Sequence, residues 1–286
     1  LDAIFKQEAI TLEKFQSFFG AYPGYNVSLR QCKVPYDIMD SNSIIKGITS
    51  NNNPFYEYFY KLLNQSKYKS SKVFGISLVA EDQIFPTFSI ARAIRNLYPE
   101  AHIVVGGALL TRLAYNISVS CLATFIDFMV TFEGEEPFLE LLSHCFDNTP
   151  ITSPKIFPVN SSNTLIEENH VDFQTHYPVT DLSILQTPIF DGFDFDAYFS
   201  AMKILPIQIT RRCYYAKCEF CAIYISWDGK YRQRRIDSVL DDIEKYVAQG
   251  VTYFRIVDED CSPHALREFV NGINERGLRI KFEAYS

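Results

Sequence analysis

The sequence predicts an α/β protein in two parts: a doubly wound parallel sheet, then a second β/α unit that opens on a cluster of cysteines. Three observations carry this. Apolar, strand-like runs alternate with helix-length segments three times between Lys72 and His144, the order that builds a parallel sheet with helical crossovers. A stretch over 151–200 that holds Pro154, Pro158, Pro178 and Pro188 then breaks regular patterning. Finally, Ile204-Leu205-Pro206-Ile207-Gln208-Ile209-Thr210 reads as a buried strand and runs into Cys213, Cys218 and Cys221, spaced C-x4-C-x2-C.

The chain has 286 residues, 47% of them hydrophobic, which is enough for two cores. Net charge is −7 with no basic block, so unaided nucleic-acid binding is not expected. No run of eighteen apolar residues and no signal-peptide pattern is present, and the expectation is a cytoplasmic protein that does not engage a membrane. Seven cysteines, three of them clustered, suit a reducing compartment better than a disulfide scaffold. The chain starts at Leu1 without a methionine, as a piece of a longer protein would.

In order, Ile10 to Phe19 reads as an amphipathic helix ended by Gly20, and Pro23-Gly24 as a turn. Tyr25 to Val34 alternates enough for a strand. Asn53-Pro54 opens a helix to Leu63, with Asn at the cap and Pro just inside; its aromatics read as core packing. Lys72 to Val79 is a nearly continuous apolar strand, as the centre of a parallel sheet should be. Pro86 to Leu97 is the next helix, Ala101 to Val105 the second strand, ending in Gly106-Gly107, and Phe125 to Val130 the third. Glu133-Gly134-Glu135-Glu136-Pro137 then leads into a helix to about His144. A ligand crevice is expected beyond the C-terminal strand ends, at 77–83, 106–107 and 133–135. His102 lies inside a strand and reads as structural. A short hairpin is expected between Ile151 and Ile166. Asp191, Asp194 and Asp196 lack the continuation of a calcium loop, so Phe190 to Phe199 reads as an aromatic segment packing across the two domains.

After the cysteines comes the basic run Lys230 to Arg235, which a solvated face also explains. Asp237 is expected to cap a helix from Val239 to Ala248, stopped at Gly250. Val251 to Val257 is a strand ending in Asp258-Glu259-Asp260; such a group of acids is costly through mutual repulsion unless it binds something. Ser262-Pro263 starts a helix to about Arg276 with Gly277 behind it, and Leu278 to Ala284 is a last strand.

Three thiolates on one loop can converge on one soft centre. Closed zinc sites need four ligands, and the nearest further candidates, Cys261 and His264, are forty residues on. A disulfide leaves one thiol over. An iron–sulfur cluster with one open iron remains, since simple electron-carrier clusters take four Cys; three unrelated buried thiols are the bland alternative.

Here the residues carry a resemblance. The strand, the Cys loop with Phe220 just before its last Cys, and the helix that follows resemble the opening of a radical SAM domain, with one residue more than the family's usual C-x3-C-x2-C. The resemblance implies that Cys213, Cys218 and Cys221 hold three irons of a [4Fe-4S] cluster whose fourth iron takes S-adenosylmethionine (SAM). It places Phe220, Asp258 and Glu259 on SAM, and Tyr231, Arg232 and Arg234 near the cluster or the cofactor. Upstream, a Gly-Ile-Ser strand, a Gln before a Pro-led helix, V-V-G-G and the segment Asp127 to Glu135 resemble the cobalamin-binding, Rossmann-like domain that precedes many radical SAM domains. By that resemblance Ser77, Gly106, Gly107, Glu133, Gly134 and Glu135 line the corrin and nucleotide, and Gln83 lies near the lower face. No D-x-H-x-x-G motif is present, so no histidine ligand to cobalt is expected.

The implied layout is a cobalamin-binding domain over 1–150, a linker over 151–200 and the first part of a radical SAM (β/α) partial barrel over 201–286. The remainder of the barrel is expected in a longer chain or a second polypeptide, because barely three β/α units are present and the free sheet edge is an aggregation hazard. The implied function is a cobalamin-dependent radical SAM enzyme that methylates an unactivated carbon of a peptide or other small-molecule natural product, with an external electron donor. Two alternatives stand: a cobalamin- or cluster-carrying module without turnover, and a one-electron carrier with Cys261 as fourth ligand. Cys32, Cys121, Cys145 and Cys261 are otherwise given no role.

Overall fold

The computed structural model describes residues 2–28, 31–113, 123–159, 181–195, 198, 200, 202–221, 223–227 and 230–285. The chain divides into two compact units, residues 1–177 and 178–286.

In the first unit, helix α1 (Asp2–Gly20) leads to a hairpin of two two-residue strands, β1 (Asn26–Val27) and β2 (Cys32–Lys33), paired antiparallel. The single strand expected over 25–34 is therefore this hairpin. Helix α2 (Ser41–Thr49) was not evident from periodicity; the Asp40 carboxylate caps it by accepting from the amides of Asn42 and Ser43. Helix α3 (Pro54–Leu63) has Asn53 at its cap, as the sequence predicts, and Asn53 Oδ1 accepts the Tyr56 amide at 3.1 Å. Asn53 is buried because its Nδ2 donates to Ser89 Oγ at 3.0 Å, which offsets the loss of water.

The sheet consists of β3 (Val73–Ser77), β4 (His102–Gly106), β5 (Phe128–Val130) and β6 (Ile156–Pro158), in that order. The first three are parallel and β6 is antiparallel to β5, with Met129 opposite Phe157. One expectation is corrected here. Among the described residues the strand order runs one way, without the reversal of a doubly wound sheet, because β6 returns on the β5 side. Of the hairpin expected between Ile151 and Ile166, β6 is present and pairs with β5; residues 160–166 lie outside the described residues.

Strand alternation divides the core. Phe74, Ile76, Ile103, Val105 and Met129 join one cluster with α4 (Ile84–Leu97), whose Phe85, Phe88, Ala91 and Ile94 face inward. Val73, Val104, Phe128 and Val130 join the opposite cluster with Leu141 and Phe138 of α6 (Glu135–Asp147). Between β4 and β5, the chain forms a short helix, α5 (Ala108–Leu113). His102 packs its ring on Phe128, 6.0 Å between centroids.

The second unit has a parallel sheet, ordered β11-β10-β7, of β7 (Ile204–Ile207), β10 (Tyr253–Ile256) and β11 (Lys281–Glu283). Between β7 and β10, β8 (Thr210–Arg211) pairs antiparallel with β9 (Arg232–Gln233), and a short helix, α7 (Ile223–Ser226), lies within the loop they close. Helices α8 (Ile236–Val247) and α9 (Pro263–Glu275) bury Val239, Leu240, Ile243, Tyr246 and Phe269 against Leu205, Ile207, Phe254 and Ile256. The two helices touch closely at Gly272, where a Cβ would come within 2.4 Å of Leu240 Cδ1. The cap of α8 corrects a prediction: Arg235 holds that position without a side-chain bond, and Asp237 in the first turn pairs with Arg276. Ser262 does cap α9, its hydroxyl accepting the Ala265 amide. Phe190 and Phe195 pack on this unit's own core; Asp196, Ala197 and Phe199 lie outside the described residues. No helix among the described residues is long and apolar enough to cross a membrane.

Candidate functional sites

The first site is a cavity of about 410 Å³ at the C-terminal ends of β3–β5, on the face covered by α6. It exists because the strand positions facing α6 carry Gly75, Ser77 and Gly106 where large side chains would close the gap against Phe138. Of the residues predicted to bind cobalamin, Ser77, Gly106, Gly107, Gly134 and Glu135 line it together. Glu133 is buried and does not line it; Gln83 does not either. Gln83 instead uses Oε1 to accept the amides of Val79 at 2.8 Å and Ala80 at 3.2 Å, tying down the turn after β3.

Gly107 has a second reason to be glycine. Its φ is +109° and a Cβ there would stand 2.4 Å from the Leu78 carbonyl oxygen. The cavity rim also holds Phe132, a non-glycine residue at φ +57°. Its amide donates to Thr111 Oγ1 at 2.7 Å, and Thr111 is fully buried. Such a backbone persists only where its surroundings fix it. Thr111 had no signal in the sequence, because its partner is twenty-one residues away.

The second site is the Cys loop, residues 212–231, closed at its base by β8 and β9. The expected strand 204–210 ends at Ile207, and Thr210 and Arg211 leave the sheet for the β9 ladder. That lifts Cys213, Cys218 and Cys221 off the C-terminal end of β7, all three half-buried. Arg212 and Ala216 have positive φ, +70° and +46°. Cys213 Sγ accepts the Ala216 amide at 3.5 Å and lies 3.5 Å from Asp260 Oδ2; the Cys221 amide donates to the Cys218 carbonyl at 3.2 Å. Among the described residues no three His, Cys, Asp or Glu side chains converge closely enough to hold a metal ion. Phe220 is 92% exposed.

The acids after β10 divide sharply. Asp258 is 3% exposed and spends both oxygens inside the protein: Oδ1 accepts the Ile209 amide at 2.9 Å, and Oδ2 accepts the Thr210 amide at 2.8 Å and its hydroxyl at 2.6 Å. Burial pushes its carboxyl above the usual range and these bonds pull it back. Glu259 accepts the Trp227 indole N–H on Oε1, while its buried Oε2 has no partner. Burial raises its carboxyl too, partly countered by hydrogen bonds that include the indole's. Two further buried atoms at the base of the loop lack partners, Arg212 Nε and the Tyr231 hydroxyl. Arg212 and Tyr231 are the residues next beyond the β8–β9 ladder, and the Tyr231 ring packs edge-on against Tyr214. The Arg211 guanidinium lies over Trp227, 5.3 Å from its centroid. Arg234, by contrast, is a buried structural residue paired with Asp242 at 2.7 Å, and Arg232 Nε donates to the Lys230 carbonyl. The Trp227–Glu259 contact joins residues thirty-two apart and left no pattern in the sequence.

Comparison with known proteins finds the fold. No family model matches the chain, and no curated protein matches its sequence. Two solved structures of the radical S-adenosylmethionine methyltransferase TsrM from Kitasatospora setae are similar in fold. One, with tryptophan substrate and the SAM analogue aza-SAM bound, superposes at TM-score 0.51 and 19% identity; the other, with cobalamin and a [4Fe-4S] cluster bound, at 0.52 and 18%. Each match covers 78% of this chain and 42% of the other, so the chain spans well under half the length of the proteins it resembles.

Proposed function

We propose that this chain carries the cofactor-binding part of a cobalamin-dependent radical SAM enzyme. The observation that carries the reading is the base of the Cys loop: three soft thiols at a parallel strand's end, beside three buried polar atoms without partners, Arg212 Nε, Tyr231 Oη and Glu259 Oε2. Buried polar atoms are normally satisfied, so such a group points to a polar ligand. Three thiols fit the protein's share of a [4Fe-4S] cluster; the loop has to close further for the sulfurs to share it. When bound, the cluster supplies the electron that cleaves SAM to a 5′-deoxyadenosyl radical, and cobalamin supplies a transferable methyl group.

The residues divide the remaining work. Glu259, held by Trp227, offers one free oxygen to the amino group of a SAM-like ligand, and Arg212 and Tyr231 offer donors for its carboxylate. Phe220 offers an exposed aromatic face for an adenine. In the other unit, the cavity fits one limb of a cobalamin and not the whole. A corrin with its nucleotide tail far exceeds about 410 Å³, so the hollow between Gly75, Ser77, Gly106 and Phe138 would take a flat, largely apolar part such as the tail base, leaving the ring outside. Methylation of an unactivated carbon in a peptide or other natural product, driven by an external electron donor, is the reaction class this pairing serves.

Anaerobic reconstitution followed by low-temperature paramagnetic resonance tests the reading. The expected result is a reduced [4Fe-4S] signal that shifts with SAM and is absent in Cys218→Ala. Uptake of no iron, or of a SAM-insensitive [2Fe-2S] centre only, would overturn it.

A further inference from the structure

Asp258 has a more specific role than the acids beside it. A carboxylate offers about four lone-pair sites. In the folded chain three donors meet it: the Ile209 amide, the Thr210 amide and the Thr210 hydroxyl. The group is buried, and both of its oxygens are engaged within the fold. Its partners are not scattered. Ile209 and Thr210 are where the chain leaves the parallel sheet, since the last ladder bond runs from the Val257 amide to the Ile207 carbonyl. Two residues on, Arg212 takes positive φ and Cys213 follows.

We propose that Asp258 is a positioning residue for the Cys loop: its buried carboxylate turns the chain out of the sheet at Ile209–Thr210 and so sets where Cys213 stands. Cys261 belongs to the same device. It is fully buried, and burial first and the Asp258 charge next push its thiol up to about 12. Charge-assisted bonds to backbone amides are among the stronger hydrogen bonds, and the pair of amides fixes backbone direction in a way that a side-chain contact would not. The consequence for iron rests on the function proposed above; the clamp itself does not.

The test uses the full chain without iron. In Asp258→Asn one amide of the 209–210 pair faces a donor instead of an acceptor. Exchange at Ile209 and Thr210 should rise about tenfold or more, the effect of losing one bond to a charged group, while the β10 amides keep their protection. Alkylation of Cys213 should rise severalfold with Cys145 unchanged. Thr210→Val should fall between, and Thr210→Ser should match the parent. If Asp258→Asn does not fold, Thr210→Val carries the same comparison. Unchanged exchange and alkylation would overturn the proposal, as would a uniform rise across both units, which is a mere loss of stability. After anaerobic iron loading, Asp258→Asn should retain severalfold less iron. Full iron with a lost response to SAM would make Asp258 a ligand contact and overturn the clamp. If the parent takes no iron, the proposed function fails, and exchange and alkylation still decide the role of Asp258.

Discussion

At the C-terminal ends of β3–β5 the chain presents backbone and small side chains; at the same ends of β7 and β10 it presents thiols, carboxylates, an indole and a guanidinium. The first end is a hollow shaped by what is missing, with Gly75, Ser77 and Gly106 opposite Phe138. The second is a loop held by side chains that reach across thirty to fifty residues, Asp258 to Thr210 and Glu259 to Trp227. A hollow of the first kind binds by shape and tolerates no added bulk where backbone crowds it, as at Gly107. A site of the second kind binds by chemistry, and its charged groups already act on the fold before any ligand arrives. Mutations should therefore separate the two: backbone-limited changes should harm stability and binding together in the first unit, whereas the loop thiols of the second should be removable at little cost to folding.

The largest expected effect is Gly107→Ala. The added methyl would meet the Leu78 carbonyl at 2.4 Å in a conformation that L-residues avoid. Thermal or denaturant unfolding should show a loss of about 3 kcal/mol or more, and cobalamin uptake should fall with it. A Gly107→Ala protein of parental stability would break the comparison. Next, Cys213→Ala, Cys218→Ala and Cys221→Ala should each abolish iron retention after anaerobic loading, yet cost only about 1 kcal/mol or less, since all three are half-buried. A strongly destabilised Cys218→Ala would make the loop a structural element first.

Glu259→Gln sharpens the contrast through pH. Burial raises the Glu259 carboxyl in the folded chain, so its contribution to stability is full below the unfolded value of about 4.3 and is lost as pH rises through the folded value. Glu259→Gln should match the parent in acid and unfold later than the parent at neutral pH, while weakening any SAM-dependent spectral shift. Parallel stability–pH curves for the two proteins would show that no buried charge is being carried. The smallest effect should be Gly134→Ala. It lines the same cavity as Gly107, but no atom lies within 4 Å of the added methyl and its φ is −94°. Stability should move by about 0.5 kcal/mol or less, and a change in cobalamin affinity without one in stability would mark a contact made only by the ligand.

Local chemistry was legible in the chain. The Asn53-Pro54 and Ser262-Pro263 caps, the Gly106-Gly107 end of β4 and the C-x4-C-x2-C loop after an apolar strand all depend on residues within a few positions of each other, and the structure has them where the pattern puts them. Side-chain period also announced the α/β alternation, because a strand buried on two faces has to be apolar throughout. The tertiary structure decided the rest. It set the one-way order of the described strands, for β6 takes its edge by packing against β5, not by its own three residues. It split the strand 204–210, because Asp258 accepts the two amides that would have continued straight on. It also told apart neighbouring acids that composition treats alike: Asp258 points into three donors and is consumed by the fold, while Glu259 keeps one buried oxygen unpaired. Sequence fixes which groups are available; burial, which depends on partners far along the chain, decides which of them remain free to act.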